Sequence, residues 1–429
     1  MSAAEFQRAV RLSRNDGPRD PSTLAVTFED WALKPTGDLV GYSVGAAAAG
    51  VRDGKPSRLD VALIVSELPC AAAGVFTTNQ VIAAPCIVTR RHLERGPLRA
   101  IVVNSGNANA CTGEQGERDA IAMAEAAADK IGCDPHEVAV ASTGVIGVPL
   151  PVERIASAIR SIDLRKDAWD DVARAMMTTD TRPKSVRRDY PLGTLGSPET
   201  VHFRGVAKGA GMIHPNMATM LAFIVCDADI DAALMRQHVP GIVARTFNRI
   251  SVDGDTSTND MVLVLTNGAS GFKPVRKPLA MCAAVLGWLC EDLAQQILAD
   301  GEGVTRVFKV LIRGAASDVE AMLAARTITT STLVKTAIHG ADPNWGRILA
   351  AAGRSGAKVD QTRATVRIGD VNVFESGAPR SFDRERIREI FSSPGLRIAV
   401  DLGVAKGKGE AWGTDLSEEY VRINADYTT

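Results

Sequence analysis

The sequence predicts an α/β protein in which sheets and helices are layered, and three observations predict it. Short runs rich in Val, Ile and Thr, bounded by Gly, Pro and Asn, recur from residue 61 onward, the pattern of strands and turns. Ala- and Leu-rich stretches of helical length stand between them. No period of 20–50 residues emerges, which argues against a solenoid or propeller and leaves packed layers of sheet and helix. At roughly 100–200 residues per domain, the 429 residues allow two or three domains.

Taken in order, residues 1 to about 40 are polar and broken by Gly17, Pro18, Pro21 and Pro35, and read as a surface arm. VALIVSELP (61–69), AAGVFTTN and PCIVTRRHL (85–93) read as short strands, and Ala100 to Val103 as a buried one. Arg118 to Ile131 is Ala-rich and closed by Gly132, the mark of a helix with a glycine C-cap. EVAVAST is a strand running into Gly144 and Gly147, followed by helices at 152–162 and 167–177. Pro and Gly from 182 to 200 predict a loop with at most one hairpin. Met220 to Cys226 is apolar throughout, as a strand covered on both faces should be. Helices follow at 229–247, 278–299, 317–329 and around 348, with strands at 261–265 and in VTRVFKVLIRG. The remainder, including 396–429, alternates as short strands and turns.

Composition narrows the function. With 49 Lys and Arg against 50 Asp and Glu, the net charge is −1, so there is no basic excess to attract nucleic acid or an anionic membrane. The longest apolar run, Leu279 to Cys290, is shorter than the roughly 20 residues a spanning helix needs. Seven scattered cysteines show no metal-ligand spacing and read as reduced thiols, and the first twenty residues hold no secretory apolar segment. A cytosolic enzyme acting on small molecules is expected. Phosphate-loop, nucleophile-elbow and HExxH patterns are missing. VDGDTSTND (252–260) has three acids but lacks the twelfth-position ligand of a calcium loop, so a hydrogen-bonded turn is expected and no metal site.

KGAGMIHPNMATML (208–221) is different: a Gly-rich loop runs straight into a buried strand, with Thr219 at the junction. On the residues alone two readings stay open. Thr219 is an ordinary β-branched residue starting a strand, or it is a nucleophile exposed by a cut between Ala218 and Thr219. In the second case its α-amino group, titrating near about 7.7–8.0, would be a ready base for its own hydroxyl.

This segment is similar to the cleavage motif of the ornithine acetyltransferase family, the glutamate N-acetyltransferases of arginine biosynthesis. VNSGNANACTG (103–113), STGVIGVPLP (142–151), MTTDTRPK (177–184), TFNRISVDGDTSTND (246–260), DGEGVTR (300–306), GADPNWGRILAAAGRSG (340–356) and the final NADYTT resemble further family blocks in family order. The resemblance spans nearly the whole chain after about residue 40.

The resemblance implies an αββα sandwich of the aminopeptidase and ornithine-acetyltransferase type with a smaller C-terminal α/β domain. It implies self-cleavage into an α chain (1–218) and a β chain (219–429), with 219–300 completing the layered domain and about 301–429 forming the smaller one. Ping-pong transfer of acetyl from N2-acetylornithine to glutamate through acetyl-Thr219 would follow, with no cofactor and with acetyl-CoA as an alternative donor. Thr143 and Gly144 match the oxyanion hole. Thr178, Lys208, Thr219, Glu302, Asn424 and Thr429 match substrate-binding positions, with Thr181 competing with Thr178. An α₂β₂ heterotetramer is implied. Ala210 stands where the family motif is expected to carry Ser, and the opening PTGDLVGYSVGAAAAG matches only loosely. Two alternatives remain: an amidohydrolase or aminopeptidase on the same scaffold, and an uncleaved, non-catalytic homologue.

Overall fold

In the computed structural model, residues 38–191, 200–214, 220–275, 277–393 and 395–426 are described. Most of the segment read as an N-terminal arm therefore lies outside the described residues. The chain forms two mixed sheets with helices, confirming the α/β class.

The first sheet is organised by one long strand. Strand β2 (Val61–Phe76) pairs through its first half with β1 (Tyr42–Ala47) and β3 (Leu98–Asn107), and through its second half with β9 (Met261–Thr266). Between the halves its register with β3 jumps from Val65 to Cys70, where Glu67, Leu68 and Pro69 are exposed. This bulge lets one strand serve two sheet halves, so VALIVSELP and AAGVF are continuous. The first half continues to β4 (Val138–Val145), the second to β7 (Leu221–Cys226), β6 (Thr200–Lys208) and β5 (Lys184–Pro191).

Alternation along the strands produces four layers. Leu63, Val65, Val102 and Val140 pack on helices α2 (Gly113–Ile131) and α3 (Val152–Ser161). Their neighbours Ile64, Ile101, Val103 and Ala141 meet Leu221, Phe223, Val225, Met261 and Leu263 of the other half. Ala222, Ile224, Cys226 and Val262, on the far face, pack on helices α5 (Ala232–Arg245) and α6 (Lys277–Ala299). The result is the helix–sheet–sheet–helix sandwich expected.

Residues 85–93 are a correction. Instead of a strand they lie in α1 (Ala84–Arg95), entered at a proline. The β-branched residues suggested a strand, but Pro85, Cys86, Val88, Thr89 and His92 fall at helical spacing and are the buried ones. The helix covers the edge strand β4. Thr89 Oγ1 accepts from Val140 N and donates to Val140 O, both at 2.7 Å, and His92 Nδ1 lies 2.7 Å from Val138 O. Edge groups that would otherwise invite strand addition are thus satisfied.

The second sheet has the order β13-β12-β11-β14-β10-β15-β8. Its strands are β8 (Ile250–Ser251), β10 (Val307–Ala315), β11 (Thr365–Ile368), β12 (Val371–Glu375), β13 (Ala378–Pro379), β14 (Leu396–Asp401) and β15 (Gly407–Thr414). Helices α7 (Asp318–Thr329), α8 (Thr332–His339), α9 (Trp345–Gly353) and α10 (Arg384–Ser392) share its core. Strand β8, which lies in sequence between α5 and β9 of the first sandwich, pairs with β15 of the second sheet.

A second correction falls at the C-terminus, where 418–426 form α11 (Glu418–Asp426) instead of strand and turn. None of its residues is buried, so the apolar 3.6 period that announces a helix is missing. Glu418 and Glu419 in its first turn favour the helix through its dipole.

Candidate active site

Ala218, Thr219 and Thr429 lie outside the described residues. What surrounds the start of β7 is described.

Thr143 and Gly144 sit at the end of β4, opposite Ser105 to Asn107 of β3, where the ladder register shifts. Gly144 has φ +133°, and a Cβ on it would fall 2.3 Å from the Gly106 carbonyl carbon and 2.5 Å from Asn107 N. Only glycine fits that backbone-to-backbone approach. Side-chain amides lock the bulge. Ser142 Oγ donates to Asn104 Oδ1 at 2.6 Å, and Asn104 Nδ2 donates to Asn107 O at 2.9 Å. Asn259 Nδ2 donates to Ala108 O (2.6 Å) and Ser142 O (2.9 Å), which ties the STGVIG and VNSGNANACTG blocks to TSTND.

The next residue, Asp260, is fully buried. Its Oδ1 accepts the Met220 N–H at 3.1 Å, and its Oδ2 has no hydrogen-bond partner among the described residues. Burial pushes this carboxyl well above the usual range, opposed by the nearby Lys208 charge. Met220 N belongs to the peptide bond that follows Thr219, so Asp260 anchors the chain immediately after the candidate nucleophile.

Lys208 ends β6, pairs with Leu221 and is buried. Its ammonium is destabilised by burial and supported by the charges of Asp180, Glu302 and Asp260. Burial pulls Asp180 up, but Lys208 and Lys184 outweigh it and bring it down to about 2. Asp180 Oδ2 accepts Thr178 N at 3.0 Å, and the Thr178 hydroxyl stands 3.5 Å from the same oxygen. The Thr181 hydroxyl instead donates a short bond to Asp300 Oδ1, and Thr181 N donates to Asp300 Oδ2 at 3.1 Å. Of the two threonines, Thr178 has the less committed hydroxyl.

Glu302 is nearly buried against Gly211, whose Cβ, if present, would overlap the carboxylate at 2.4 Å. Its N–H donates to Ala210 O at 2.9 Å, and its Oε2 accepts Asn424 Nδ2 at 2.8 Å. The C-terminal helix is thus docked beside Lys208's loop. Ser417 Oγ donates to Gly303 O at 2.6 Å, and Asp415 accepts Thr305 N and Arg306 N at 2.9 Å. These bonds hold the segment that leads into α11.

The acids of VDGDTSTND form the hydrogen-bonded turn expected. Asp253 accepts Met212 N (2.6 Å), Ile213 N (2.9 Å) and Asp255 N (3.1 Å), holding Met212 at a left-handed φ of 55°. Burial pushes Asp253 up to about 6. An acid whose folded pKa is raised contributes stability that is complete below its unfolded value near about 4 and lost as pH rises through 6. Asp253→Asn is therefore expected to flatten the fall of the urea midpoint between pH 4 and 7. Equal falls in wild type and variant would refute this.

Sequence reading brought Thr143, Gly144, Thr178, Lys208, Glu302 and Asn424 to notice; in the structure Thr178 N bonds to Asp180 and Glu302 to Asn424, Lys208 pairs with Leu221 next to the anchored Met220 N, and Asn259 ties that segment to Ser142 beside Thr143. It missed Asp180, Lys184, Asn259, Asp260 and Asp300. All five lie within quoted blocks, and the available signal was their place beside Gly- and Thr-rich loops. Among the described residues no cluster of three His, Cys, Asp or Glu could hold a metal, and no helix is long and apolar enough to cross a membrane. All seven cysteines are free thiols.

A four-layer α/β protein with buried acid, lysine and amide groups gathered about the start of one strand is the class that fold and site define. The chain belongs to the ArgJ family, whose profile matches residues 43–429. It is 46% identical over 405 residues to the arginine biosynthesis bifunctional protein of Symbiobacterium thermophilum, covering 93% of this chain and 100% of that protein. With the protein of the same name from Thermus thermophilus it shares 48% over 392 residues, covering 91% and 98%. The crystal structure of the arginine biosynthesis bifunctional protein from Bacillus halodurans is 43% identical and covers 48% of this chain and 98% of that one, with a TM-score of 0.46.

Proposed function

We propose that this chain is a glutamate N-acetyltransferase of arginine biosynthesis that cuts itself between Ala218 and Thr219 and works in the cytosol. The Thr219 hydroxyl attacks the Ala218 carbonyl and the acyl group shifts from N to O. That shift frees the Thr219 amine, and water then hydrolyses the ester, releasing the Ala218 carboxylate and restoring the Thr219 hydroxyl. In turnover, that amine takes the hydroxyl proton as Thr219 attacks the acetyl carbonyl of N2-acetylornithine. Ornithine leaves, and glutamate's amine accepts the acetyl group from Thr219. Thr143 hydroxyl and Gly144 N–H receive the oxyanion. Lys208 takes the substrate carboxylate, Glu302 orients the ammonium with Asn424, and Thr178 and Thr429 complete the pocket. No cofactor takes part, and acetyl-CoA serves as an alternative acetyl donor. The two chains stay together as an α₂β₂ assembly.

The observation that carries this reading is the anchoring of Met220 N by buried Asp260, flanked by Lys208 on β6 and, through Asn259, by the Thr143–Gly144 bulge. Intact mass of the purified protein tests the cut, with chains of 218 and 211 residues expected in place of one of 45.4 kDa. Acetate released from N2-acetylornithine at the same rate with and without glutamate would identify a hydrolase instead.

A further inference from the structure

Beneath the substrate-facing residues lies a buried ion cluster to which neither the sequence motifs nor the proposed chemistry gives a role. Lys184, the first residue of β5, is paired with Ala207 beside Lys208 and is fully buried. Its Nζ donates to Asp180 Oδ1 at 2.6 Å, Asp300 Oδ2 at 2.5 Å and Arg182 O at 3.3 Å. Asp180 Oδ1 also accepts Gly209 N at 2.7 Å, and its Oδ2 accepts Thr178 N. Asp300 takes Thr181 through both oxygens, with Arg182 Nε 3.8 Å away on the solvent side. One ammonium therefore joins the loop carrying Thr178, the turn after Lys208 and the turn before Glu302.

The cluster occupies the acceptors of Asp180. Lys208 feels the Asp180 charge, yet among the described residues its Nζ has no hydrogen-bond or ion-pair partner. Two buried ammoniums compete for one carboxylate, and Lys184 holds it. We infer that Lys184 is a positioning residue that keeps the Lys208 ammonium free for the substrate carboxylate by holding Asp180 and Asp300 as their shared counter-ion. Without Lys184, Asp180 keeps its bonds from Gly209 N and Thr178 N but loses its counter-ion, at the turn that follows Lys208. An ion pair between Asp180 and Lys208 satisfies two buried charges at once and withdraws Lys208 from substrate.

This inference rests on the proposed acetyl transfer, and its test separates the two. The full-length, self-processed protein is assayed for transfer from N2-acetylornithine to glutamate. If wild type shows no transfer, the proposed function fails. Given an active wild type, Lys184→Met should raise KM for N2-acetylornithine at least tenfold while kcat stays within threefold. With N2-acetylornithinamide, which has no carboxylate, wild type and Lys184→Met should share one KM, because Lys208 then has nothing to bind. Lys184→Met combined with Asp180→Asn removes one charge of each sign and should bring KM for N2-acetylornithine back to within threefold of wild type. An unchanged KM in Lys184→Met overturns the inference. So does an equal defect with the amide, or a double variant that recovers nothing. If Lys184→Met does not fold, the double variant decides alone: a KM near wild type supports the charge role, and a tenfold defect or failure to fold makes Lys184 a packing residue only.

Discussion

Thr219→Ala should remain a single chain of 45.4 kDa and transfer no acetyl group. The substitution removes the only atom proposed to attack, first at Ala218 and later at the acetyl carbonyl. Without cleavage, the nitrogen that should act as base also stays locked in an amide. Both losses act on the same step, so a fall of at least about 10⁴ in kcat is expected. Thr219→Ser keeps a hydroxyl on the same carbon and should still cut, more slowly, because it lacks the methyl that restricts χ1. Intact mass and ornithine release read both variants. Two chains recovered from the Ala variant would show that another group performs the cut.

The second large effect is expected at Gly144→Ala. The new methyl would sit 2.3 Å from the Gly106 carbonyl carbon and 2.5 Å from Asn107 N. These are backbone atoms held by Asn104, Ser142 and Asn259, and they cannot turn aside as a side chain would. The φ of +133° adds strain of about 1–3 kcal/mol for a residue bearing a Cβ. Opening the β3–β4 bulge moves the Gly144 N–H, and losing one oxyanion donor costs about 2.7–4 kcal/mol in the barrier, or 10²–10³ in kcat. Thr143→Ala removes the other donor without a clash, so it should lower kcat comparably while leaving thermal stability nearly unchanged. Turnover of Gly144→Ala near that of wild type would place the oxyanion elsewhere.

Much of the fold was legible because strands buried on both faces write continuous apolar runs and amphipathic helices write a period. Met220 to Cys226 and 278–299 are examples. Residues 85–93 were misread because β-branching in Ile87, Val88 and Thr89 is compatible with a helix that has a strand edge to cover. Residues 418–426 were misread because a helix held by a few polar contacts needs no apolar stripe. Lys184 and Asp260 lie inside distinctive blocks as well, yet in the sequence they look like ordinary solvated charges. Their burial is a property of the assembled layers.

By itself, the sequence determined the layered class, the family and the residue types on offer in its loops, because these are local and depend on order along the chain. Only the tertiary structure decided which charges lost their water. Asp180, Lys184, Lys208, Asp260 and Asp300 come from four separate segments, and a carboxylate or ammonium becomes a positioned, perturbed group only when sheet packing removes solvent from it and supplies one particular partner.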